Sequence, residues 1–110
     1  MQLINRGFIS VKPSGLFIEW LKSYDPTVLI MVEDVEATVY LIEEEFWDDD
    51  LILKSYAKKI ATSAFAEYGC DEAHWPSHFD IENFEHWFDF DLGCTCIDLL
   101  AAPIQKEPLS

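Results

Sequence analysis

Val28-Leu29-Ile30-Met31-Val32-Glu33-Asp34-Val35-Glu36-Ala37-Thr38-Val39-Tyr40-Leu41-Ile42 is the stretch whose reading decides the fold. Two runs rich in β-branched and apolar side chains flank an acidic turn, and such runs favour strands. Read as a hairpin, they give two antiparallel strands, Val28–Val32 and Thr38–Ile42, although no Asn-Gly pair pins the turn.

Working outward, Gly7 to Val11 reads as an earlier strand, closed by Lys12-Pro13. Ser14 suits the N-cap of a helix whose apolar positions are Leu16, Phe17, Trp20, Leu21 and Tyr24, and Asp25-Pro26 stops it. Downstream, Asp48, Asp49 and Asp50 place carboxylates at the positive end of a long helix. Ile52, Tyr56, Ile60, Ala64 and Tyr68 step by four along it, and Gly69 stands where a left-handed C-cap belongs. Ser77 and Asp80 form a capping box for a shorter helix with Ile81, Phe84, Trp87 and Phe88 inward. Phe90 to Leu100 reads as the last strand.

The order β-α-β-β-α-α-β predicts an α+β fold. Its expected form is a ferredoxin-like, four-stranded, mostly antiparallel sheet with helices on one face. Residues 1–100 form a single domain on this reading, and 101–110 a flexible tail.

Composition narrows the function classes. The 110 residues carry 21 acidic against 7 basic side chains, a net charge of −14, with half the residues hydrophobic. That apolar content excludes a disordered acidic chain. Residues 1–59 hold a net of −5 and residues 60–110 a net of −9, with no Lys or Arg between Lys59 and Lys106. Direct binding to nucleic-acid backbone is disfavoured, because phosphate affinity comes from cations scarce here. No apolar run reaches the roughly 18 residues a membrane helix needs, and the opening residues carry no secretory pattern. Three cysteines give no complete disulfide set, which predicts thiols in a reducing cytoplasm.

The densest acidic run is Glu43-Glu44-Glu45-Phe46-Trp47-Asp48-Asp49-Asp50. One reading is a solvated loop whose aromatics fold back as a hydrophobic staple. The other is a partner-binding site, with Phe46 and Trp47 as anchors and Glu43, Glu44, Glu45, Asp48 and Asp49 steering a basic partner. A nucleic-acid mimic is a further alternative, but alternate strand residues face opposite ways and do not make one phosphate-like row.

Cys70, His74 and His78 follow a C-x3-H-x3-H spacing that zinc accepts. Pro76 interrupts any single helix aligning them, and Cys94-x-Cys96 is tighter than zinc knuckles use. Both cysteines of that pair share a strand face with Phe90 and Leu92, which reads as core. No cofactor is implied. No nucleophile signature surrounds any cysteine, and no carboxylate pair is marked as desolvated, so the chain reads as non-enzymatic.

Thr38-Val39-Tyr40-Leu41-Ile42-Glu43-Glu44-Glu45-Phe46-Trp47, Asp71-Glu72-Ala73-His74-Trp75-Pro76 and Phe84-Glu85-His86-Trp87-Phe88 resemble a group of small acidic bacterial proteins of unknown function. They share a DE-x2-WP stretch, then F-x2-WF, then a strand ending in Asp-Leu, here Asp98-Leu99. The resemblance implies a bacterial cytoplasmic domain and transfers no catalytic residue. Together these readings predict an acidic interaction domain of inhibitor, immunity or adaptor type that binds a protein with a basic surface. A metal- or small-ligand-binding protein, or a homo-oligomer paired through an exposed sheet face, is the alternative.

Overall fold

The computed structural model describes residues 1–70, Ala73 and 81–109. Among the described residues nine elements follow one another: β1 (Gln2–Ile4), β2 (Gly7–Pro13), α1 (Gly15–Tyr24), a 3-10 turn (Val32–Asp34), β3 (Thr38–Ile42), α2 (Asp49–Glu67), α3 (Ile81–Trp87), β4 (Phe88–Gly93) and β5 (Cys96–Asp98). The architecture is mixed α+β with antiparallel pairing throughout.

The sheet has three strands in the order β3-β2-β4, and β1 pairs β5 in a separate two-stranded ribbon. Among the described residues the expected four-stranded ferredoxin-like sheet is therefore not formed. Three of the expected strands pair in one sheet, but Val28–Val32 is no strand. Along that run Val28 and Ile30 pack against the core while Leu29 and Met31 stand exposed. The two-residue alternation of a strand is present without a ladder. Val35 is buried and draws the chain inward after the 3-10 turn, which replaces the hairpin bend.

The last strand is also divided. β4 begins at Phe88, two residues earlier than its pattern suggests, and breaks at Cys94-Thr95 before β5. In the ribbon Ile4 faces Cys96, whereas in the sheet Phe8 faces Gly93. Three residues on one side thus span two on the other, and an extra residue of this kind bends and twists a ladder. The molecule measures 44 × 30 × 27 Å, with a radius of gyration of 15.4 Å against about 13 Å for a compact chain of this length.

Strand alternation sorts the sheet faces. Ile9 and Val11 of β2 point into the core beneath the helices, while Phe8, Ser10 and Lys12 occupy the opposite face. Register sets Lys12 against Asp89 and Ser10 against both Asp91 and Val39 on that open face. Gly93 has no side chain because Phe8 lies over it. A Cβ there would stand 2.7 Å from Phe8 Cε1.

The helices end where their chemistry dictates. Ser14 Oγ accepts from Phe17 N–H at 3.3 Å and donates to the His86 carbonyl at 2.6 Å, tying the start of α1 to the end of α3. Asp48 accepts from the N–H groups of Asp50 and Leu51 at 3.0 and 3.2 Å, capping α2. At the far end Gly69 adopts φ 74°. Its N–H donates to the Ala66 carbonyl, and Cys70 N–H donates to the Phe65 carbonyl. This is the paired hydrogen-bond pattern of a Schellman motif.

Aromatic rings join the layers. Phe17 of α1 lies 5.0 Å from Phe65 of α2 and 5.5 Å from Phe88 of β4, centroid to centroid. All three rings are essentially inaccessible to solvent. Each buried side chain of this size contributes about 1.5–3 kcal/mol, and tilted ring pairs add about 0.5–1.5 kcal/mol.

Candidate functional site

The acidic run leaves β3 and enters α2, so an edge strand and a helix N-terminus hold its two ends. Glu43 follows the last β3 residue and is exposed. Tyr56 Oη, about two turns into α2, donates to Glu43 Oε1. That bond, first among its causes, holds the Glu43 carboxyl below the usual carboxylate range, and the same bond pushes the Tyr56 phenol up. Glu44 and Glu45 project into solvent.

The two aromatics part company. Phe46 is half-buried against the core, and its ring edge would lie 3.2 Å from a Cβ on Gly7. Trp47 is 97% exposed. The fold-back reading holds for Phe46 alone, while Trp47 stands out between carboxylates. Asp48 is spent in part as the α2 cap, and Asp49 and Asp50 in the first turn complement the helix dipole. The result is a rigidly based loop with one isolated indole and a surrounding field of carboxylates.

The remaining candidates are dispersed. Cys70 is buried at the end of α2, where its thiol contacts the Tyr68 carbonyl at 3.9 Å. His74, His78 and the Trp75-Pro76 motif lie outside the described residues. Among the described residues no three His, Cys, Asp or Glu side chains come together as a metal-binding group. Cys94 is exposed and Cys96 half-buried, so the pair lies in the break and ribbon rather than in the core. The break after Gly93 releases both from the β4 alternation that a single continuous strand would impose. Among the described residues no helix is long and apolar enough to cross a membrane.

One surface feature escapes sequence reasoning altogether. Between β3 and α2 lies a groove of about 320 Å³ walled by Tyr40, Ile42, Tyr56 and Ile60. Its only sequence signal is negative, since β3 contains no Pro and no Lys to discourage pairing along its edge. On the open sheet face a second hollow of about 510 Å³ is lined by Lys12 together with Glu85, Asp89 and Asp91. No family model, curated protein or solved structure matches the chain.

Proposed function

We propose that the chain is a non-enzymatic cytoplasmic interaction domain of inhibitor, immunity or adaptor type, which docks a protein through a basic surface. The observation that carries this reading is Trp47, 97% exposed between Phe46, which packs on the core, and Asp48, which caps α2. A solvent-facing indole contributes little to the stability of its own domain. It supplies a large, rigid contact surface with few rotatable bonds to freeze on binding. Glu43, Glu44, Glu45, Asp48 and Asp49 surround it with negative potential, and the chain's net charge of −14 extends that field. Such fields accelerate encounter with basic partners and repel acidic ones. Phe46 fixes the base of the loop from within.

Affinity capture from the source cells with wild-type and Trp47→Ala baits tests the reading. Removing an anchor of this kind costs about 2 kcal/mol, roughly a 30-fold loss of affinity. At least one basic protein captured by the wild type, and released by salt, should disappear from the Trp47→Ala bait. Retention of every captured protein by Trp47→Ala combined with Glu44→Lys and Glu45→Lys refutes it.

A further inference from the structure

The sheet stops at β3. Among the described residues β3 pairs only with β2, so its outer row of N–H and C=O groups has no ladder partner. An edge of this kind is a template for another strand, and chains that avoid pairing blunt it with Lys, Pro or a bulge. The apolar groove described above runs along this edge. At one end it opens beside Glu43 and Glu44, in a hollow of about 440 Å³. Past Tyr40, toward Thr38, a neighbouring hollow of about 320 Å³ is lined by Asp34, Glu36 and Glu67, with Leu29 and Ile30 also on its wall. Helix α2 borders both hollows, with Tyr56 and Ile42 lining the groove and Glu67 and Thr38 lining its neighbour. The groove is therefore apolar in the middle and acidic at both mouths, with Lys59 and Arg6 the cations on its walls.

We infer that this groove receives an extended segment of a partner protein, with a cation at each end, which joins β3 as a fourth strand. Main-chain hydrogen bonds to the β3 edge supply the affinity of such strand addition, and pockets for alternate side chains supply its selectivity. Glu36 and Glu44 are eight positions apart, roughly 26 Å along extended chain, so the two cations stand six to eight residues apart. Charge rejects a second copy as the occupant. Antiparallel pairing of two β3 strands centred on Tyr40 sets Glu36 of one against Glu44 of the other, and like charges face to face are destabilising. The chain's own tail leaves the groove open, since Leu109 stands at its wall yet is 97% exposed. Only the basic character of the partner is taken from the function proposed above; Trp47 is no part of the groove.

The test uses the full chain and two labelled heptapeptide pools. One has Lys at both ends and the other Glu, each with Val, Ile, Thr or Ser at the five central positions. The Lys-ended pool should bind at least about tenfold more tightly and shift the amide resonances of Thr38–Ile42 together with those of Tyr56 and Ser63. Methylating the peptide backbone nitrogens, or filling the groove with Ser63→Phe, should each lower affinity by about tenfold or more. Trp47→Ala should bind the pool as the wild type does, so this surface and the Trp47 surface stand or fall separately. Absence of binding, indifference to N-methylation, resonance shifts confined to the Trp47 loop, or dimerisation through β3 in sedimentation would each overturn the proposal.

Discussion

Ser14 links two parts of the chain 72 residues apart, and replacing it with Ala tests whether that link closes the fold. The residue is buried, its hydroxyl caps α1 through Phe17 N–H, and the same hydroxyl donates to the His86 carbonyl. Its backbone N–H, which donates to the Trp87 carbonyl at 2.9 Å, survives the substitution. Loss of a serine N-cap costs about 1 kcal/mol. Leaving this part-buried carbonyl without its hydroxyl partner costs about another 1 kcal/mol. The expected loss is therefore about 2 kcal/mol. Unfolding entropy of about 2.1 cal/mol/K per residue converts this to a fall in Tm of roughly 9 °C for the whole chain. Urea unfolding followed by far-UV circular dichroism and by Trp fluorescence should show a lowered midpoint with an unchanged slope. A loss below about 0.5 kcal/mol, the range of ordinary surface changes, would falsify the claim that this hydroxyl joins α1 to the α3–β4 junction.

Further outcomes follow from local geometry. Gly7→Ala places a Cβ 2.5 Å from the Glu43 carbonyl oxygen and 2.8 Å from that of Gly93, whereas Gly93→Ala meets only the Phe8 ring. Backbone cannot swing aside as a ring can, so Gly7→Ala should destabilise more than Gly93→Ala, by about 1–3 kcal/mol against 1 kcal/mol or less in denaturant titrations. Tyr56→Phe removes the bond that lowers the Glu43 pKa, and NMR titration should find that carboxyl back in the usual range. Because the folded-state value is depressed, this bond's contribution is present above the usual carboxylate range and disappears as pH falls through the lowered value. In Tyr56→Phe that part of the acid sensitivity should be absent. Thiol labelling of the native chain should modify Cys94 first and Cys96 more slowly, with Cys70 reacting only on unfolding. Early reaction of Cys70 would show that the end of α2 opens locally.

The helices were legible because their signals are local. Ser14, Asp48 and Gly69 announce the ends of α1 and α2, and the four-residue spacing of Ile52, Tyr56 and Ile60 announces the face that α2 buries. The strands were legible only where both faces were decided nearby. Gly7 to Val11 and Thr38 to Ile42 formed as read, but the Val28 to Val32 run shows that alternating burial is not pairing. A period of two reports which side chains meet the core; it says nothing about where the backbone hydrogen bonds go. The ribbon escaped notice because Gln2–Ile4 is short and exposed, and its partner lies at the other end of the chain. At the acidic run, composition marked the place but not the geometry. Phe46 and Trp47 are adjacent and similarly apolar, and only the proximity of Gly7, brought by β2, makes one of them an inside residue.

The sheet order also governs when this protein becomes a protein. Its central strand, β2, is made early, yet one of its neighbours is β4, and Phe8 waits for Gly93. A ribosome adding 5–20 residues per second takes roughly 4–17 s to span that interval. Throughout it Ile9 and Val11, buried in the finished core, lack β4 on one side. The three-stranded sheet therefore closes only after β4 has been made. The nascent chain's surplus of carboxylates, which keeps unfinished copies apart, protects that apolar strand during the delay.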